Sequence, residues 1–476
     1  MLIMPRITDI ERLMENGLAA VFASSCAFVF LANIRLTLQC SDTGWLIATG
    51  RQILSHGIPY TDPFSFTAAG QPLVVYQWLF CVLLGALDAV GGLQMVALFA
   101  TLTAAGIYLF ALPKMMLSRG VKPVYVFGLL WLAMTPCWLW ARPQLISFVM
   151  IPAFLSLLEN YREHGWSRRL WLLPPLMVLW VNCHSFWFIG LALVVAYMVP
   201  RCFRDQRALP VAAACLLAPL LNPYGFALIP YTLSFLTQPD FGSIPELSSS
   251  LLCEPTENLP TLLYFAMAWC AMVTRRDAVP LQGLFAAAFG TFAACLFYRF
   301  IPVGILLTWP FAANALSKLF FAADTESTRR LHPAVACTAA LSLLALAVPN
   351  LPNWFTHDNS DRAVVSYLAE HPELRAKSFC NAVVGSSQIY ASSVPVFIDT
   401  RFDFYGRPFC TAYRACINGE SGWREFLASH DAEAVCIQDA NGLYNRLWYA
   451  RDWHRVFDDH NCSVWTHNSN RAISAR

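Results

Sequence analysis

The stretch QCSDTGWLIATGRQILSHGIPYTDPFSFT, residues 39–67, begins where an apolar run over residues 18–38 stops. It carries Asp42, Arg51, His56 and Asp62 among aromatic residues and a Gly-Ile-Pro turn. Two carboxylates placed directly after a hydrophobic segment need a reason, because charge beside hydrocarbon is costly unless it is paired or faces a wet cavity. Composition supplies the setting. Of 476 residues 57% are apolar and 13% charged, and the mean hydropathy is +0.48. A soluble domain carries about a quarter charged residues, so the chain reads as a polytopic α-helical membrane protein. A net charge of +2 says nothing about partners, and no basic tract suggests nucleic acid.

Residues 18–38 are long for a signal-peptide core, and polar Gln39, Cys40 and Ser41 follow them instead of a small-residue cleavage site. They read as a retained first helix. Further spans are expected at residues 93–113, 124–140, 145–161, 170–182, 186–200, 208–222, 259–273, 279–298, 301–321 and 333–352, giving about eleven transmembrane helices. With the N-terminus cytoplasmic, sixteen Lys and Arg fall in inside loops. Only Arg51, Arg142 and Arg299 fall outside before residue 353. That asymmetry follows the positive-inside rule, and an odd number of spans sends the C-terminal portion out of the cytoplasm.

Residues 78–90 are apolar but short, contain Asp88, and have no basic loop before them. Counted as a span they would invert every later loop, so they are predicted to lie along the membrane surface. Residues 39–92 then form one large outer loop within a transmembrane domain, 1–352. The tail, 353–476, changes character: it holds 12 of the 32 Lys/Arg and 14 of the 30 Asp/Glu. Its pattern predicts a helix near 362–371 and strands at 378–382 and 394–399. A helix at 423–430, a strand at 434–438 and a hairpin of 453–458 with 462–467 follow. A soluble extracytoplasmic α/β domain is the expectation.

Most of the sixteen cysteines lie in apolar segments, where Cys behaves as a small hydrophobe. Cys410 and Cys416 are candidates for a disulfide in an oxidising compartment. The sequence has no Cys-x2-Cys or His-Glu-x2-His metal spacing, no internal repeat and no low-complexity segment.

The informative residues are polar ones at the outer helix ends. Beyond Asp42 and Asp62 they are Arg142 and Gln144 in ARPQ, Asn182 and His184 in WVNCHSFW, Asn222 and Tyr224 in LNPYG, Glu246 in SIPELSSS, and Arg299 in FYRFIP. Any single one is as readily a capping or snorkelling residue, and Asp62 before Pro63 suits a turn. Gathered on one membrane face, the set fits a wet cavity that handles an anionic lipid. A carboxylate there can accept a proton from an acceptor hydroxyl or amine. Arg142, Arg299 or His184 can neutralise a departing phosphate.

DTGWLIATGRQILSHGIPYTDPFSFTAAGQPLVVYQWL, RPQLISF, LWVNCHSFWFIG, NPYG, RFIP and the tail's PVFIDTRFDFYG are similar to segments of bacterial proteins identified as GT-C-like. The first helix, large outer loop, further helices and outer domain likewise resemble the GT-C superfamily of integral membrane glycosyltransferases. The resemblance runs over nearly the whole chain. It implies a polyprenyl-phosphate-linked sugar donor, an envelope glycolipid, polysaccharide or protein as acceptor, and residence among the lipids of a bacterial inner membrane. It places the superfamily's first-loop acid on Asp42. Thr43 and Gly44 follow where many relatives have a second acid. A divalent metal between Asp42 and Glu246 is compatible with the resemblance but not required, since two carboxylates are few for a site. In the tail, Asp399, Arg401, Asp403 and Tyr405 suit either an acceptor contact or cap on the cavity, or an internal Arg–Asp pair at a strand end, which is the favoured reading. The competing class is a transporter or flippase of lipid-linked glycan, for which repeated halves and polar groups at mid-membrane are expected.

Overall fold

A computed structural model describes residues 41–122, 139–202, 204–237, 255–320, 361–439 and 441–468, with isolated positions between 17 and 37 and Val126. The chain is mostly helical. Among the described residues, three helices are long and apolar enough to cross a bilayer: Trp78–Leu117, Gln144–His164 and Tyr298–Leu319. A fourth is available if Ala208–Leu220 and Gly225–Ser234, bent by 90° at the break between them, act as one span. The candidate span at 333–352, and most of 18–38 and 124–140, lie outside the described residues. Trp187–Arg201, Thr261–Thr274 and Leu281–Leu296 are shorter apolar helices.

Prolines and glycines explain several breaks. Leu173–Cys183 starts with a proline pair, which lacks N–H groups that the first turn would leave unpaired anyway. Inside Trp78–Ala105, Gly91 and Gly92 leave helical geometry, Gly92 with a positive φ of 66°. This break falls between the predicted surface segment 78–90 and the predicted span 93–113.

Backbone contacts divide the chain into two compact units, Met1–Arg35 with Ala97–Phe355, and Leu36–Val96 with Thr356–Arg476. In the first, Gln144–His164 packs against Trp187–Cys202 and Leu173–Cys183, and Leu281–Leu296 packs against Ile301–Phe320. Trp180 is fully buried and meets Phe154 edge-on at 5.4 Å. Near the far end of Gln144–His164 the buried Glu159 accepts from the Tyr197 hydroxyl at 2.6 Å and from Arg162 Nη2 at 2.9 Å. A buried carboxylate is tolerable only when paired in this way.

In the second unit, helix Ser41–His56 lies against Ala382–Ser392. It also crosses the start of Trp78–Ala105 so closely that a Cβ on Gly50 would stand 1.9 Å from the Cys81 carbonyl oxygen. Four strands form a mixed sheet: β1 (Ser378–Cys380), β2 (Ala434–Gln438), β3 (Trp453–Asp458) and β4 (Cys462–His467), in the order β1-β2-β4-β3. β1 runs parallel to β2, and the other pairs are antiparallel. Phe379, Phe397, Val435, Ile437 and Trp465 belong to the core of this unit.

Two expectations for the tail are corrected. Residues 394–399 do not join the sheet. Their carbonyls and amides go elsewhere: Val396 exchanges backbone bonds with Phe64 and Phe66, and the Phe397 carbonyl accepts from Thr67 Oγ1. Cys410 and Cys416 are free. Both sit on helix Arg407–Ile417, six positions apart, and a separation of six puts side chains on different helix faces. Each thiol instead points at a carbonyl, of Phe402 and Trp423 respectively.

Candidate functional site

Asp42 stands in the first turn of helix Ser41–His56, where the helix dipole favours a negative charge. Its Oδ1 accepts a 2.5 Å hydrogen bond from Thr400 Oγ1. Thr400 is held in turn by Ser386: its backbone N–H donates to Ser386 Oγ at 3.2 Å, and the two hydroxyl oxygens are 3.1 Å apart.

The adjoining residues form an enclosed ionic network. Arg401 grips Asp399 with Nε at 2.8 Å and Nη2 at 2.6 Å, and reaches Asp62 Oδ1 with Nη1 at 2.8 Å. Asp62 also closes a turn, accepting from the backbone N–H of Phe64 and Ser65 and from Ser65 Oγ. It is therefore both the turn residue that its Pro63 neighbour suggests and a partner of a buried cation. Tyr405 donates to Asp399 Oδ2 at 2.8 Å. Burial works against the Arg401 charge, but Asp399 and Asp62 outweigh it and hold the guanidinium well above its ordinary range. Burial, reinforced by Asp399, pushes the Tyr405 phenol up as well. The Arg–Asp pair expected in the tail is thus present. A second clamp joins helices Ser41–His56, Trp78–Ala105 and Ala382–Ser392: Arg51 binds Asp88 and the Tyr390 carbonyl, and the Tyr390 hydroxyl donates to Asp88.

The other unit gathers a different set. His184 follows helix Leu173–Cys183, and its Nδ1 lies 2.7 Å from Ser147 Oγ. The Trp180 indole N–H, which can only donate, also points at Ser147 Oγ at 2.7 Å. Ser147 therefore accepts from the indole and passes its own proton to Nδ1, which leaves the imidazole proton on Nε2. Burial first, then the charges of Arg299 and Arg142, pull the His184 pKa well below its usual value, so the ring is neutral. His184 packs on Phe186 at 4.3 Å, Phe186 stacks on Phe300 at 4.4 Å, and the Arg299 guanidinium lies over Phe186 at 5.9 Å. Arg142 lies over Trp140 in the turn before Gln144, which is buried in the first turn of its helix.

Asn182 and Asn222 shape the backbone. Asn182 Nδ2 donates to the carbonyls of Val178 and Leu221. Asn222 donates to Pro219 and Gly225 and accepts from the Tyr224 N–H, closing the turn at the 90° bend. Glu246 lies outside the described residues. Arg142, Arg299 and His184 are thus brought together in one unit, and Asp42 and Asp62 belong to the other. Ser147, Thr400 and Ser386 had no signal of their own in the sequence, although Thr400 lies inside IDTRFDFYG. Among the described residues no group of three or more His, Cys, Asp or Glu is set to hold a metal ion. Asp42 and the Thr400 hydroxyl offer fewer oxygens than the roughly six to eight a calcium-like cation takes.

This architecture is similar to the crystal structure of the Archaeoglobus fulgidus oligosaccharyltransferase in its apo form. The TM-score is 0.55 at 13% identity, covering 90% of this chain and 69% of that one. The same protein in complex with zinc and sulfate gives 0.52 at 12% identity, covering 95% and 73%. At this identity the likeness is one of fold. Neither the protein-family models nor the curated proteins yield a match to the sequence.

Proposed function

We propose that this protein is a membrane glycosyltransferase that moves a sugar or short glycan from a polyprenyl-phosphate-linked donor to an envelope glycolipid, polysaccharide or protein. The reaction takes place on the outer face of a bacterial inner membrane. The observation that carries this reading is the likeness to an oligosaccharyltransferase over 90% of the chain. The apolar helices agree with it, because a polyprenyl donor is delivered from within the bilayer.

In the proposed reaction the acceptor's hydroxyl or amine attacks the anomeric carbon of the donor. The bond from that carbon to the phosphate oxygen breaks, and its electron pair leaves with the polyprenyl phosphate. The acceptor's proton goes to Asp42 as general base. By the chemistry of their side chains, Arg299 and Arg142 are assigned to binding the lipid phosphate. Neutral His184, with its proton on Nε2, is assigned to the same anion as a hydrogen-bond donor. Asp62, a substrate-binding candidate in the sequence, is enclosed by Arg401 and its own turn, which supports a part in holding the loop at residues 62–65 in shape. Gln144, Asn182, Asn222 and Tyr224 lie at helix ends and turns, and with Glu246 they are assigned to substrate contact on the strength of the family resemblance.

The test separates transfer from transport. Purified protein in detergent is mixed with solubilised membranes of a strain lacking it, which supply donor and acceptor, and glycans are followed by mass spectrometry. A transferase yields the modified acceptor although no compartment exists. A flippase yields nothing in detergent while still restoring the glycan in intact cells.

A further inference from the structure

Thr400 and Asp42 are 358 residues apart in sequence and share a 2.5 Å hydrogen bond. The direction of each proton in this cluster follows from donor arithmetic. The Thr400 backbone N–H can only donate, so Ser386 Oγ accepts it. Ser386 then has its own proton to give, and the Thr400 oxygen, 3.1 Å away, receives it. That leaves the Thr400 proton for Asp42, whose carboxylate can only accept. The relay runs from backbone to Ser386 to Thr400 to Asp42, with every hydroxyl donating once.

We infer that Thr400 is a positioning residue for Asp42: by holding Oδ1 it fixes the plane of the carboxyl group, and so the direction in which the proton acceptor faces the incoming nucleophile. This rests on the reading of Asp42 as general base. A short polar side chain in the first turn of a helix has several rotamers open to it, and one strong donor selects among them. The donor is itself rigid. Thr400 is β-branched, which restricts its χ1. Its neighbours on both sides are clamped, Asp399 to Arg401 and Arg401 to Asp62. Its other hydroxyl contact, Ser386, lies on helix Ala382–Ser392, which packs against the helix that carries Asp42. IDTRFDFYG therefore contributes a hydroxyl to the acid's setting, with the buried Arg401 network as its mount.

The experiment uses three variants of the full chain in the detergent assay, with solubilised membranes of the deletion strain as the source of donor and acceptor. Thr400→Val keeps the branched shape and loses the donor. Thr400→Ser keeps the donor. Asp42→Asn removes the base. We expect Thr400→Val to lower the saturating rate by about 10- to 10²-fold, the scale of a small misplacement of a reacting group. The melting temperature and the amount of membrane needed for half-saturation stay unchanged, and Thr400→Ser recovers most of the rate. A wild-type rate in Thr400→Val, with Asp42→Asn inactive, overturns the positioning role and leaves the base in place. A rate lost equally in Thr400→Val and Thr400→Ser, or lost together with the melting temperature, also overturns it. Full activity in Asp42→Asn removes the base assignment and the role of Thr400 with it.

Discussion

Arg401 and Asp62, 339 residues apart, meet at 2.8 Å with both side chains enclosed, and the same guanidinium also grips Asp399. One cation thus neutralises two buried carboxylates and fastens the turn at residues 62–65 to residues 399–401. Removing it leaves two charges buried without a partner, a loss of about 3–5 kcal/mol. Arg401→Met should therefore unfold at a markedly lower temperature in detergent. Asp62→Asn leaves Arg401 paired with Asp399 and should cost less, about 1–3 kcal/mol. Melting followed by tryptophan fluorescence checks the order, and an Asp62→Asn protein less stable than Arg401→Met contradicts it.

That pair also marks the boundary of what the sequence discloses. Short runs of strand-forming residues between turn residues identify β2 at Ala434–Gln438 and both hairpin strands to the residue, because that composition is a local property. Residues 394–399 read the same way, yet they do not join the sheet. The Ile398 carbonyl presses to within 1.9 Å of where a Gly385 Cβ would be, and their backbone bonds go to residues 64–67. Nothing in the local pattern shows a partner more than three hundred positions away. For the same reason Asp42 is legible as a helix-end acid, while its donor Thr400 is not. His184 is visible as a polar residue in an apolar setting, but its Ser147 and Trp180 partners emerge only from packing between helices.

His184 carries a pH signature. Burial and the two arginines lower its pKa in the folded chain, so below the unfolded value of about 6.5 the unfolded chain binds the extra proton. The native state then loses stability as pH falls through that value and keeps it above. His184→Gln retains an acceptor for Ser147 and lacks the titration. Its melting temperature should fall less than the wild type's between pH 7.5 and pH 5.5, values chosen to straddle about 6.5. Parallel curves for the two proteins would contradict a buried neutral imidazole.

Arg142 and Arg299 are proposed to hold the lipid phosphate, and the planar fork is the reason for arginine at these places. Lys keeps the charge but grips one oxygen at a time. Loss of one charge-assisted bond corresponds to about 10- to 10²-fold in affinity. Binding of a polyprenyl phosphate to the purified variants should weaken by that order in Arg299→Lys or Arg142→Lys, and further in the Ala forms. Unchanged binding in all four variants would move the phosphate elsewhere.

Charge asymmetry fixes an expected orientation. Reporter fusions after Gly120 and Trp166 should read as cytoplasmic, and those at Gln71 and Trp423 as outside. Gln71 and Trp423 both belong to the compact unit of residues 36–96 and 356–476, so a single domain accounts for both. Opposite sides for these two positions would contradict the topology and the unit together.

Asp42 carries the central claim, and Asp42→Asn is its most direct measurement. The amide keeps the shape and can still accept from Thr400 but cannot take a proton. The variant is expressed in the deletion strain, its membrane level and melting temperature are matched to wild type, and transfer is measured by mass spectrometry of the acceptor. Loss of a general base costs about 10²–10⁴-fold in rate, so transfer near background in a normally abundant, normally stable protein is expected. Full transfer by Asp42→Asn would contradict the assignment of Asp42 as the proton acceptor.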